Sequence, residues 1–131
     1  MSSATAPGVS VELIDPKQEK QLRSKLKTLI GKARVEEVRT ILMGLPSTKA
    51  LEHFVSQARY PNSMLEYATH HFHNALHDQL MINRSVEGKP QLARSGRTRE
   101  QLDALSLRYK KLGEIVIMLT NAGIGIYPTA L

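Results

Sequence analysis

The apolar residues between positions 102 and 119 recur at steps of three and four, which restricts this part of the chain to one kind of element. The set is Leu102, Leu105, Tyr109, Leu112, Val116 and Leu119. Such steps return a side chain to one face of a helix, whereas a half-buried strand would alternate. The phase continues unchanged through Gly113, so a single helix should run to about Ala122 and stop at Gly123. A terminal strand over 115–119 is the alternative.

Capping signals divide the rest of the chain into helices. Each clear start pairs a side-chain acceptor with a Gln or Glu three residues later, as in Asp15 with Gln18, Ser63 with Glu66, and Thr98 with Gln101. Glycine and proline mark the ends. The signals predict five helices: 16–30, one that ends before Gly44, one from Ser47 or Thr48 to Pro61, 64–82, and the helix that Thr98 begins.

The composition agrees with a helical interior. The 131 residues are 41% hydrophobic, with no tryptophan and two phenylalanines, so aliphatic side chains must form the core. We expect an all-α fold, a compact bundle of about five helices in which the last two form an antiparallel hairpin or pack across a dimer axis. Residues 1–14 should be a flexible N-terminal arm and 15–131 a single helical domain, with an extended apolar C-terminal tail from Ile124 that docks on another surface.

Several function classes are excluded by what the sequence lacks. Without cysteine there is no thiol chemistry, disulfide or cysteine-liganded zinc. The first residues show no signal-peptide pattern, and the longest apolar run, 115–119, is far below the ~20 residues of a membrane span. A phosphate-binding glycine loop, a serine nucleophile elbow and a dinucleotide fingerprint are also missing. We therefore expect a cytoplasmic protein with no membrane association, no enzymatic activity and no cofactor.

The net charge of +6 is concentrated in two segments. Residues 17–39 contain eight Lys and Arg against three Glu, and residues 84–111 contain eight against three acids. Such an uneven charge distribution is typical of proteins that bind a polyanion. Basic helices can also serve only to keep a small domain in solution.

The residues predicted to contact a polyanion come from both basic segments. Lys20, Arg23 and Lys27 should form a solvent-exposed stripe on the first helix. The stretch from Asn83 to Arg97 is predicted to be a long connection that binds phosphate or serves as a flexible linker. The full set is Lys20, Arg23, Lys27, Arg94, Arg97, Arg99, Lys110 and Lys111. Because the tyrosines are scattered, binding should depend on phosphates rather than on base stacking.

Four of the five histidines lie within residues 70–77. At 100° per residue, His70, His73 and His77 share a stripe of about 60° with Glu66, a spacing that permits chelation. The segment from His73 to His77 lacks the glutamate of the His-Glu-x-x-His motif, so we predict no metal. We interpret the stripe instead as an interface with another helix or subunit. The predicted interface residues are His70, His73, His77, Tyr109, Val116, Leu119 and Tyr127.

His53, His77-Asp78 and Asp103 suggest a different metal site. Their order resembles that of the ligands in HD-domain metal phosphohydrolases, which implies a divalent metal that activates water. Here Asp78 is followed by Gln79-Leu80-Met81 rather than by the small, glycine-containing continuation usual in that family.

Three functional hypotheses follow. The favoured one is a small basic helical protein that binds nucleic acid or another polyanion through phosphate contacts, in an accessory or regulatory role. The alternative is an assembly subunit or chaperone-like adaptor that oligomerises through its helices and tails, with a homo-oligomer or another protein as partner. The third is the histidine-liganded metal phosphohydrolase.

Overall fold

The computed structural model describes residues 14–56, 63–87 and 97–129, and this part of the chain contains five helices and no strand. The helices are α1 (Pro16–Gly31), α2 (Val35–Met43), α3 (Thr48–Ser56), α4 (Met64–Glu87) and α5 (Arg99–Ala122). The predicted all-α bundle is confirmed. The alternative strand over 115–119 is wrong, because these residues continue α5 without a break.

The predicted caps begin the helices. In each case a backbone N–H in the first turn donates to the side-chain oxygen of the residue three positions earlier. The pairs are Gln18 to Asp15 at 3.4 Å, Ala50 to Ser47 at 3.0 Å, Glu66 to Ser63 at 3.3 Å and Gln101 to Thr98 at 3.1 Å. The side chain of Gln101 accepts in return from the Thr98 N–H at 2.8 Å, so this capping box is complete. Ser47, rather than Thr48, is the cap of α3.

The two long helices form the antiparallel hairpin that the apolar spacing predicts. Phe72 of α4 stacks on Tyr109 of α5 with ring centroids 5.3 Å apart. The Cε1 atom of Phe72 lies 3.4 Å from where a Cβ on Gly113 would be, so the glycine lets the two helices approach closely. The three shorter helices pack on this hairpin, with α1 against α4 and with α2 and α3 against α5. The fully buried side chains of the resulting core include Leu26, Ile30, Leu42, Phe54, Leu112, Ile115 and Leu119.

One boundary differs from the prediction. The helix expected to end at Ile82 continues to Glu87, so the first residues of the predicted connection from Asn83 to Arg97 are helical. Four of the five residues 83–87 are polar, none of them breaks a helix, and the first strong stop signal is Gly88. Residues 88–96, which include Arg94, lie outside the described residues, as does the predicted N-terminal arm up to residue 13.

The C-terminal tail docks on its own chain. The hydroxyl of Tyr127 donates to the Leu45 carbonyl at 2.8 Å, and Pro128 is buried. Gly125, with φ +82°, makes the turn that leads into this segment, and a side chain there would be strained. None of the described helices combines the length and the hydropathy that crossing a bilayer requires.

Candidate functional site

The turn between α1 and α2 brings a lysine to the surface beside α5. After Gly31 the chain passes through Lys32 and Ala33, and Ala33 has φ +55°, which is uncommon for a residue with a side chain. The Ala33 N–H donates to Ile30 O at 2.9 Å and the Arg34 N–H to Leu29 O at 3.0 Å. These bonds close the end of α1, so the turn is fixed and Lys32 remains exposed.

Arg108 of α5 joins this turn to the long hairpin. Its Nη1 donates to the Gly31 carbonyl oxygen at 2.8 Å. The last carbonyls of a helix lack intrahelical donors and carry partial negative charge, so a guanidinium is a favourable partner for them. The bond therefore holds α5 against the C-terminal end of α1.

A small basic cavity lies next to this bond. It measures about 220 Å³ and is lined by Lys32, Ala33, Ala104, Leu107, Arg108 and Lys111. Three of the lining residues are cations, and no acid is among the described residues that line it. We call this group the Lys32–Arg108–Lys111 site. It brings together one residue of the first basic segment and two of the second.

Aromatic and imidazole side chains lie beside the site at the end of α1. The His71 Nε2 is 3.9 Å, and the Tyr67 hydroxyl 3.8 Å, from where a Cβ on Gly31 would be. The two rings meet edge to face with centroids 4.8 Å apart, and the Lys27 Nζ is 5.7 Å from the Tyr67 centroid. Lys27 therefore adds a fourth cation near the same end of α1.

The fold perturbs the titration of His71. Partial burial lowers its pKa, and the positive charges of Arg108 and, to a smaller extent, His70 lower it further. Burial and like charge both disfavour the protonated imidazolium. His71 is therefore neutral at pH 7.

This pKa shift predicts a loss of stability on acidification. Because the folded protein binds a proton at His71 less readily than the unfolded chain does, the free energy of unfolding should fall as the pH drops below about 6.5, the ordinary value of imidazole. Thermal unfolding at pH 7.5 and 5.5 tests this, with a smaller difference in Tm expected for His71→Gln than for the wild type. His73→Gln, at an exposed position, should keep the wild-type difference. If the Tm of the two variants depended equally on pH, the assignment of this pH dependence to His71 would be wrong.

The basic residues that the sequence predicts to contact a polyanion lie in different parts of the structure. Lys111 lines the site and Lys27 lies beside it. Lys110 points away from the site and lines a groove between α4 and α5. Lys20, Arg97 and Arg99 are exposed, and the Nε of Arg99 lies 3.7 Å from Asp103 Oδ1.

The expectation that Arg23 is exposed is wrong. Its side chain is only 16% exposed, forms an ion pair with Glu19 at 2.5 Å and places its Cζ 4.7 Å from the centroid of the buried Phe54 ring. The spacing of Lys20, Arg23 and Lys27 put Arg23 opposite the leucines of α1, but the adjacent α3 covers that side as well. Arg23 therefore belongs to the packing between α1 and α3.

Among the described residues, the structure brings together neither of the two candidate sets of metal ligands. Within residues 14–56, 63–87 and 97–129, no three His, Asp or Glu side chains are close enough together to hold a metal ion. His53, His77, Asp78 and Asp103 thus do not converge as the phosphohydrolase order requires. His70, His73 and His77 are exposed on α4.

The predicted interface residues on α5 and in the tail differ in exposure. Tyr109 and Val116 are partly exposed. Leu119 is fully buried in the core, and Tyr127 packs on the turn before α3. Of these four residues, Tyr109 and Val116 are therefore the ones on the hairpin whose side chains a partner could contact.

The sequence interpretation missed Lys32 and Arg108. Lys32 follows the glycine that ends α1, a position where a cation is favourable, and this was the available signal. Arg108 precedes Tyr109 of the apolar series, and no local pattern indicates that it reaches a carbonyl 77 residues earlier in the chain.

A larger cavity, of about 660 Å³, lies between α2, the end of α5 and the tail. Its charged side chains are of both signs: Glu36, Glu114 and Arg39, which is paired with Glu36. Because acids outnumber cations in this cavity, it is unsuited to a polyanion.

The chain matches no protein-family profile, no curated protein and no solved structure. A functional assignment must therefore come from the geometry and charge of the site itself.

Proposed function

We propose that this protein binds nucleic acid or another polyanion through phosphate contacts at the Lys32–Arg108–Lys111 site, in an accessory or regulatory role. The observation that carries the proposal is the bond from Arg108 to Gly31, which brings α5 beside the end of α1, so that cations from two distant segments line one cavity. Guanidinium forks and lysine ammonium groups are the usual partners of phosphate oxygens.

The charge at the site favours a ligand over a purely structural role. Neither Lys32 nor Lys111 forms an ion pair with an acid of the described residues. Arg108 has five N–H donors, of which the Gly31 carbonyl takes one. Three cations line one cavity that has no acid among its described lining residues, so they repel one another, and an anion in the cavity would relieve that repulsion.

The aromatic side chains support contacts to the backbone of a nucleic acid rather than to its bases. Tyr67 is engaged with His71 and Lys27, and Tyr109 is stacked on Phe72. Both rings already pack against side chains of the protein, which disfavours their use as a stacking platform for an unpaired base. Binding should therefore depend little on sequence and strongly on salt.

The salt dependence of binding tests the proposal. The affinity for a nucleic-acid duplex, measured by fluorescence anisotropy, should fall steeply between about 50 and 200 mM salt. Lys111→Ala should lower the slope of log K against log salt by about one, because one phosphate contact is lost. Lys49→Ala is the matched control, since Lys49 is exposed at the start of α3, near Gly125 and about 20 Å along α5 from Arg108. Absence of binding at about 50 mM salt, or equal effects of the two variants, would refute the proposal.

A further inference from the structure

Two basic side chains from different helices meet at Gly31, the last residue of α1. The Nη1 of Arg108, on α5, donates to the Gly31 carbonyl oxygen at 2.8 Å. The Nε2 of His71, on α4, lies 3.9 Å from where a Cβ on Gly31 would be. Arg108 lines the basic cavity, whereas His71 does not. His71 is therefore a close neighbour of one of the cavity's cations without being part of the cavity wall.

The groups that face His71 from the helices around it disfavour a further positive charge there. Arg108 approaches from α5, and Lys27 of α1 places its Nζ 5.7 Å from the centroid of the Tyr67 ring. On α4 itself, the ring of His70 lies 5.8 Å, and that of Tyr67 4.8 Å, from the His71 ring. No carboxylate of the described residues forms an ion pair with His71.

These surroundings keep the imidazole neutral. Partial burial lowers the pKa of His71, and the charges of Arg108 and His70 lower it further. The partial negative charge at the end of α1 would act in the opposite direction, but the Gly31 carbonyl already accepts from Arg108. The imidazole is half-buried rather than enclosed, so a proton from water can still reach it.

A phosphate bound beside Arg108 would change this electrostatic balance. Its negative charge offsets the charge of the guanidinium and attracts an imidazolium, so that protonation of His71 becomes more favourable. The effect is reciprocal by thermodynamic linkage. A phosphate that favours the protonated imidazole is itself bound more tightly, by the same factor, when the imidazole is protonated.

We infer that phosphate binding at the Lys32–Arg108–Lys111 site is coupled to the uptake of a proton from water by His71, so that the protein binds a nucleic-acid backbone more tightly as the pH falls. The inference rests on the proposed function. It adds to the residues that determine affinity a side chain of α4, a helix that contributes none to the lining of the cavity. Histidine is the side chain whose charge ordinarily changes between pH 5 and 8, so the response falls in the physiological range.

The pH dependence of duplex affinity tests the inference. Affinities are measured by fluorescence anisotropy at pH 5.5 and 7.5 and about 50 mM salt, where the phosphodiesters keep their negative charge throughout. The ratio of the two affinities should be about fivefold larger for the wild type than for His71→Gln. His73→Gln is the matched control, since His73 is exposed on the same helix, and it should keep the wild-type ratio. Circular dichroism at both pH values checks that each variant is folded.

An NMR titration of the wild type provides a second measurement, which depends on no variant. The midpoint of the His71 imidazole titration should move to higher pH when the duplex is added, and it should move further than the midpoints of the exposed His73 and His77. Equal affinity ratios for the wild type and His71→Gln, or a His71 midpoint that the duplex does not move, would overturn the inference and leave the proposed function standing. A wild type that binds no duplex at either pH would overturn both, so the two failures are distinguishable.

Discussion

The double substitution Lys32→Glu and Lys111→Glu should weaken binding to a nucleic-acid duplex by more than about 100-fold at about 50 mM salt. Each change replaces an attraction to phosphate with a repulsion, and both side chains line the same cavity. Two unit charges about 4 Å apart interact by about 4 kcal/mol at an effective dielectric constant near 20 and by about 1 kcal/mol in water, and each substitution reverses the sign of one such interaction. Anisotropy titrations on the purified variant measure the loss directly.

A control with equal net charge separates the local effect from the global one. Lys17→Glu combined with Lys49→Glu removes the same total charge, but Lys17 lies in the first turn of α1, about 20 Å from Gly31, and Lys49 lies near the tail. At these distances salt screens most of the interaction with a phosphate in the cavity. The control should therefore lose much less affinity. Similar losses for both doubles would mean that the protein binds through its overall charge and has no site.

Phe54→Ala should lower the free energy of unfolding by about 3–5 kcal/mol. Phe54 is fully buried, and its ring lies under the guanidinium of Arg23, whose Nη1 has no hydrogen-bond partner among the described residues. The substitution would leave a cavity and would also remove the ring against which that cation packs. Thermal unfolding should show a fall in Tm of about 10–20 °C.

Two further variants separate these contributions. Phe54→Leu keeps most of the buried volume and should cost much less than the alanine variant. Arg23→Met keeps the apolar stem but removes the charge, and it should change stability more than duplex affinity. An Arg23→Met variant that folds normally yet loses duplex binding would restore Arg23 to the polyanion site.

The sequence predicted the helices well because their signals are local. The caps at Asp15, Ser63 and Thr98 each depend on residues three positions apart, and the apolar series through Gly113 fixed α5 without reference to any other part of the chain. The end of α4 was harder to place, because polar residues with ordinary helix propensity follow Ile82, and only Gly88 provides a clear stop.

The site could be predicted only in part, because it is built by contacts between distant segments. Charge clustering placed Lys27 and Lys111 in the two basic segments, and the structure brings both near the end of α1. It could not show that α3 would cover Arg23, or that Arg108 would reach the Gly31 carbonyl, since both depend on how the helices pack. The histidine spacing likewise concerned a single helix, and it could not show whether another helix would supply the remaining ligands of a metal site.

The Arg108–Gly31 bond also determines when the site comes into existence during synthesis. Its two residues are 77 positions apart, and α5 is the last helix of the described chain. A nascent chain that has already folded α1 and α2 carries Lys32 but has neither Arg108 nor Lys111 beside it. The cavity that we propose binds phosphate therefore forms only when α5 has packed against the end of α1, and a growing chain that does not yet contain α5 lacks it.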